Sequence, residues 1–215
     1  MKRLATVFTL VLAFFAGSAS ALGPTETIQN ATSGLISELS QLKREERNQD
    51  QIQRLVESYI LPAIDQEKIA KLALGKHWRK ASKKQQQAFI KAFRDLQIRT
   101  YTGAFKSFDG QQFKFDDARF NKKGNRAIVK GEMLQPSGQA IPIDFKMFIN
   151  KQKQWKIYDA VIAGLCIVKT YRQQLTAQLQ KSTLDEIIDG MNADQQTAQL
   201  YSLLIIIFNR FNNKS

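Results

Sequence analysis

The apolar residues of this chain change their spacing twice, and those two changes limit its architecture more than any single motif does. Over residues 24–108 they recur every three or four positions, over residues 113–161 they alternate, and over residues 165–191 the helical spacing returns. The alternating part divides into four expected strands. The first carries Phe113 and Phe115, and the second Ala127, Val129, Gly131 and Met133. The third carries Ile141, Ile143, Phe145, Met147 and Ile149, and the fourth Trp155, Ile157, Asp159 and Val161. Turn residues separate them at positions 123–124, 136–138 and 150–152. Short runs joined by tight turns make an antiparallel meander of four strands. Its apolar face has to be covered by the helices on either side of it in sequence, which is an α+β, helix-on-sheet architecture.

The helices can be placed in the same way. One starts at Pro24 and turns Ile28, Ala31, Leu35, Leu39 and Leu42 to one side. A second carries Ile52, Leu55, Val56 and Tyr59 and stops before Pro62, because the residue ahead of a proline avoids helical backbone. Asp65 caps a third, which turns Ile69, Leu72 and Ala73 inward and ends at Gly75. Ser82 caps the longest, expected over residues 83–108. Its apolar residues, among them Phe89, Phe93, Leu96, Ile98, Tyr101, Phe105 and Phe108, form a stripe wider than contact with one neighbour needs. Such a stripe is either core or the wall of a ligand cavity. Two last helices are expected over residues 167–180 and, behind a Ser182 cap, 183–191.

The ends of the chain bear on compartment. Lys2 and Arg3 precede an apolar run over residues 4–15, and Ala19, Ser20 and Ala21 close it, the pattern of a secretory signal peptide cleaved after Ala21. The run is well short of the roughly 20 residues that span a bilayer. Cleavage leaves residues 22–192 as one domain and residues 193–215 as a tail, whose apolar run over 203–208 is also too short to cross a membrane. That tail could pack on the domain, lie on lipid or cover a cavity mouth. Removing Lys2 and Arg3 takes the net charge from +13 to +11. A basic exported protein meets anionic lipid more readily than nucleic acid, and its dispersed basic residues are either a solvated face or a docking surface for an acidic membrane or partner.

Catalytic constellations are thin. His77 is the only histidine and has no metal-ligand spacing around it. Cys166 is the only cysteine, so no disulfide forms within the chain, and apolar packing is its expected role. There is neither a nucleophile elbow nor a phosphate-cradling glycine loop. Asp116 and Asp117 are neighbours on an extended segment and point to opposite faces. Asp159 is the one acid that alternation places on the apolar face. Two roles are open to it: a structural partner for Tyr171, Arg172 or a helix N-terminus, or the general base of a small exported enzyme. A basic adaptor with a solid core is a further possibility. No cofactor and no metal are expected.

Residues 155–172, WKIYDAVIAGLCIVKTYR, join the last strand to a helix through a turn at Ala163 and Gly164. This stretch resembles the signature of the MlaC, or toluene-tolerance (Ttg2-type), family of periplasmic phospholipid-binding proteins. The matching residues are the strand Trp155, Lys156, Ile157, Tyr158 and Asp159, the bend Ile162, Gly164, Leu165, Cys166, Ile167 and Val168, and the pair Tyr171 and Arg172. Where the family usually has serine, this chain has Cys166. LGKHWR at residues 74–79, residues 99–101, and residues 135–138 with 141–144 follow in similar order, so the resemblance covers about residues 25–192. It implies a nuclear-transport-factor-like fold around an apolar pocket, and a carrier, not an enzyme. That carrier would shuttle phospholipid between an outer-membrane lipoprotein–porin complex and an inner-membrane ATP-driven transporter, maintaining outer-membrane lipid asymmetry. Together with the periodicity, the resemblance nominates three sets of lipid-contacting residues. They are Phe93, Leu96, Tyr101 and Phe105 on the long helix; Ile143, Phe145, Met147, Ile157 and Val161 on the sheet; and Leu165, Val168 and Tyr171 near the mouth or wall.

Overall fold

The computed structural model describes residues 22–106 and 108–193. The expected signal peptide, and the tail from residue 194 on, lie outside the described residues. Helix α1 (Pro24–Gln41) begins on a proline, whose missing N–H is no loss in a first turn, and Glu26 reaches back to the Gly23 N–H at 2.7 Å. A 3-10 turn (Arg44–Glu46) leads to α2 (Gln49–Leu55), which Asn48 caps. Pro62 ends this helix less abruptly than expected. The chain widens into a π turn (Val56–Ile60) and tightens into a 3-10 turn (Leu61–Ala63) that holds Pro62 in its first turn, where a missing donor is tolerated.

Helix α3 (Gln66–Leu74) is capped by Asp65, whose side chain accepts from the Lys68 N–H at 2.7 Å, and it stops at Gly75 with φ +58°. A reciprocal pair between Ser82 and Gln85 opens α4 (Lys83–Lys106).

All four expected strands are present. β1 (Gln112–Phe115) and β2 (Arg119–Phe120) both pair with β3 (Arg126–Leu134), so they are one edge strand interrupted over residues 116–118. β4 (Ala140–Ile149), β5 (Trp155–Ile162) and a two-residue β6 (Leu165–Cys166) continue the meander, antiparallel throughout. After α5 (Ile167–Gln178), the cap of α6 (Leu184–Asn192) is Thr183 and not Ser182. The Glu186 carboxylate accepts from the Thr183 N–H at 2.7 Å while the Thr183 hydroxyl accepts from the Glu186 N–H, a reciprocity that the residue before could not reach in register.

One core lies among α3, α4, α5 and α6, around Phe89, Leu96, Tyr171 and Ile187. Another lies between α1 and the sheet, around Ile28, Val129 and Met147. The sheet is irregular at one place, and that place positions the site. Met147 opposes Ile157 but Lys146 opposes Asp159, so Tyr158 is an extra residue on β5. Beyond this bulge the alternation changes phase. Ala160 and Ile162 oppose Phe145 and Ile143, whereas Val161 opposes Asp144 on the other face. The expectation that Val161 shares a face with Ile157 is thereby corrected.

Candidate functional site

Helices and sheet do not close fully on one another. Between α1, the second half of α4, the inner face of the sheet and α5 lies a cavity of about 230 Å³. One water molecule needs about 10–15 Å³ of such space, so the cavity is far beyond a packing defect. Its wall is overwhelmingly apolar. α1 contributes Ile28, Ala31 and Leu35, and the end of α4 contributes Phe105 and Phe108; β4 adds Ile141, Ile143 and Phe145. Ala31 is small, so α1 stands close to the sheet without filling the space between them.

Seven of the twelve nominated residues line the cavity: Tyr101, Phe105, Ile143, Phe145, Ile157, Val168 and Tyr171. The other five do not. Phe93 and Leu96 are buried in the solid core against α3, α5 and α6, and Met147 is buried between sheet and α1. Val161 is turned away by the bulge, and Leu165, on β6, is 40 % exposed. The wide stripe on α4 thus serves both outcomes, its first half as core and its second half as cavity wall. Residues the sequence did not nominate are Ile28, Ala31 and Leu35, whose stripe was visible but not what it faced, and Ala160 and Ile162, which the bulge brings inward. Gln97, buried on the same α4 stripe, is also in the wall.

Asp159 is where β5, β4 and α5 meet. Its Oδ1 accepts from the Val168 N–H at 3.1 Å, and its Oδ2 accepts from Lys146 Nζ at 2.9 Å and from Cys166 Sγ at 3.0 Å. Of the roles open to Asp159, the geometry is that of a partner to a helix N-terminus. Cys166 occupies the N-cap position of α5 but makes no capping bond, so the carboxylate of β5 caps the helix in its place. Cys166 is therefore in a polar cluster and not in the apolar packing expected of it. Burial pushes its thiol pKa up, and the bond to Asp159 adds to this; Lys146 is also raised, by its hydrogen bond to Asp159. A thiol held protonated in this way is a poor nucleophile. Burial, and then the Asp159 charge, push Tyr101 up to about 12, while burial and then Tyr101 hold Tyr171 well above its ordinary value. Both phenols are hydrogen-bond donors at neutral pH.

The model of the MlaC protein family matches residues 29–193. The chain belongs to the MlaC family. Among its curated relatives is the intermembrane phospholipid transport system binding protein MlaC of Haemophilus influenzae, 27% identical over 205 residues that cover 92% of this chain and 94% of that one. Another is the toluene tolerance protein ttg2D of Pseudomonas putida, 26% identical over 188 residues and 86% of each chain. A phospholipid-binding protein from Ralstonia solanacearum, solved in complex with a phospholipid, superposes with a TM-score of 0.72, covering 83% of this chain and 99% of that one. At 24% identity this likeness concerns the MlaC fold. Among the described residues no helix is long and apolar enough to cross a membrane.

Proposed function

We propose that this MlaC-family protein is a periplasmic phospholipid carrier. It takes phospholipid between an outer-membrane lipoprotein–porin complex and an inner-membrane ATP-driven transporter, and so maintains the lipid asymmetry of the outer membrane. The observation that carries this reading is the apolar cavity enclosed by α1, α4, α5 and the sheet. Two features of the relatives support it: one is named for intermembrane phospholipid transport, and a fold relative holds a phospholipid. In this reading the chain is exported by its first 21 residues, is cleaved after Ala21, and works as the domain of residues 22–192. The seven cavity-lining nominees, with Ile28, Ala31 and Leu35, contact the acyl chains.

Burying a methylene is worth about 0.8 kcal/mol, so two acyl chains amount to roughly 20 kcal/mol gross. The bilayer offers the same chains a comparable return. Extraction is therefore near thermoneutral, and docking to membrane complexes, not tight capture from solution, governs exchange.

Protein purified without detergent and extracted with organic solvent should release phospholipid at about one molecule per chain. An extract free of lipid would count decisively against a carrier. Val168→Trp, which fills the wall beside Tyr171, should abolish lipid co-purification, whereas Leu165→Glu, outside the cavity, should leave it intact.

A further inference from the structure

Basic residues that look dispersed along the sequence are gathered by the fold. Residues 118–131 carry Arg119, Lys122, Lys123, Arg126 and Lys130, and residues 146–156 carry Lys146, Lys151, Lys153 and Lys156. Neither stretch contains an acid: the first lies between Asp117 and Glu132, the second between Asp144 and Asp159. Nine of the 32 lysines and arginines thus stand with none of the 19 acids, and they account for most of the net charge of +13.

The sheet brings the two stretches side by side. Arg126 of β3 opposes Phe148 of β4, and the Ile149 N–H at the end of β4 donates to the Asn125 carbonyl at 3.2 Å. The β2–β3 and β4–β5 turns are therefore neighbours at one end of the sheet. Asn121 and Asn150 hold them in the same way, each side-chain oxygen accepting from the backbone N–H four residues on. Lys146 is engaged by Asp159, and Lys156 by the Pro62 carbonyl. The other seven cations are exposed and make no ion pair among the described residues.

Apolar side chains sit among these charges on the outer face of the sheet. Ile128 is 41% exposed; Arg119 and Lys146 oppose it on its two sides, and Arg126 and Lys130 flank it along β3. Phe148, on the same face, is half-buried beneath Lys68 of α3, whose Nζ is 3.7 Å from the ring centroid. Seven of the nine cations are lysines, point charges on flexible stems that set no register with the carboxylates of a partner protein. An anionic bilayer needs no register. Its surface potential attracts every cation near it, and its interface accepts an apolar side chain between them.

We propose that this basic end of the sheet docks the protein on the surface of an anionic phospholipid bilayer, with Ile128 in the interface. The surface is separate from the lipid cavity, since no residue of either stretch lines it. It concentrates the protein at a membrane whether the cavity is loaded or empty, and it stands independently of the carrier reading.

The test floats purified protein with phosphatidylcholine vesicles, with and without phosphatidylglycerol, at low and at physiological salt. The wild type should partition at least about tenfold more strongly onto the anionic vesicles at low salt, and physiological salt should narrow the difference. Lys122→Gln, Lys123→Gln and Arg126→Gln together should cut this partitioning about a hundredfold, because each basic residue near an anionic surface contributes about fivefold. An equal loss of charge elsewhere, Lys80→Gln, Lys83→Gln and Lys84→Gln together, should cut it less than about threefold, since those side chains stay outside the interface. Ile128→Ser should weaken binding at both salt concentrations. Equal losses from the two triple variants would mean that net charge alone acts, and a wild type indifferent to phosphatidylglycerol would leave an acidic protein as the occupant; either result overturns the membrane surface. Lipid extracted from every variant should match the wild type, so a failed docking surface leaves the carrier reading intact, whereas a wild type that yields no lipid sinks the carrier reading alone.

Discussion

Both oxygens of Asp159 are occupied, and the three residues that open the WKIYD signature each have a separate mechanical task. Trp155 packs edge-on against Phe120 at 5.7 Å, Lys156 Nζ donates to the Pro62 carbonyl at 2.6 Å, and the Ile157 carbonyl accepts from the Asp65 N–H at 3.0 Å. Further along, Arg172 Nε donates to the Leu72 carbonyl at 2.7 Å and lies against Gly75, so the YR pair is clasped to the LGKHWR segment. Removing the carboxylate at 159 leaves Lys146 and the start of α5 without their acceptor. Asp159→Ala should lower stability by about 2–3 kcal/mol in urea titration, the lower part of the usual range because the Lys146 side chain is 33% exposed. Asp159→Asn keeps an oxygen for the Val168 N–H and should cost about half as much, with bound lipid unchanged. An Asn variant that kept its lipid but lost a catalytic turnover would restore the general-base role. His77 supplies a pH dependence. Burial, then Lys76 and Lys80, hold its pKa below the ordinary value. An unfolded histidine gains its proton near pH 6.5, the folded one only at lower pH. Between those points the unfolded chain binds more protons, so stability is complete above about pH 6.5 and declines as pH falls below it. His77→Gln should flatten this decline between about pH 7 and pH 5, read as the urea midpoint against pH; an unchanged slope would place the titration elsewhere. At this scale Asp159 was legible because an acid on an apolar face needs a partner. Gln97 was not, because a polar residue within an apolar stripe reads as an interruption.

At the level of elements, periodicity gave the helices and the strand order but assumed that each run keeps one phase. The bulge at Tyr158 breaks that assumption. One inserted residue changes the phase of the pairs that follow, which sends Val161 out and brings Ala160 and Ile162 in. A bulge leaves no mark in hydrophobic pattern when the residues around it are all apolar, as they are in residues 160–162. The turn that follows was legible, and the structure adds its conformation: Ala163 has φ +50° and Gly164 φ +83° in the two-residue link between β5 and β6. Both residues lie in the left-handed region, as a type I′ hairpin requires, and alanine is there against its preference. Ala163→Asn creates the favoured Asn-Gly pair and should stabilise the protein by about 0.5–1 kcal/mol in urea titration. A loss instead would mean that the Ala163 methyl, packed against the cluster of Met133, Ile141 and Ile143, outweighs the backbone term.

Across the whole molecule, the fold is a sheet and a set of helices held apart, and the separation has an energetic consequence. An unfilled apolar space forgoes the packing contacts a solid core would make, so the empty protein gives up stability that grows with the volume left open. Lipid that enters the space restores contacts and stabilises the folded state by mass action. Delipidated protein should therefore melt well below the loaded form. Filling the space from within should uncouple the two. Ala160 faces the cavity opposite Phe145 at the centre of the sheet, and Ala31 faces it from α1. Ala160→Phe or Ala31→Phe should raise the stability of the delipidated protein by about 1–2 kcal/mol, as a ring replaces part of the void. The same variants should lower bound lipid well below one per chain and bring the melting points of loaded and delipidated samples together. Differential scanning calorimetry of both samples, with lipid quantified by mass spectrometry, reads all three effects at once. A variant that melted like the wild type and still bound a full lipid would show that the acyl chains lie elsewhere than in this cavity.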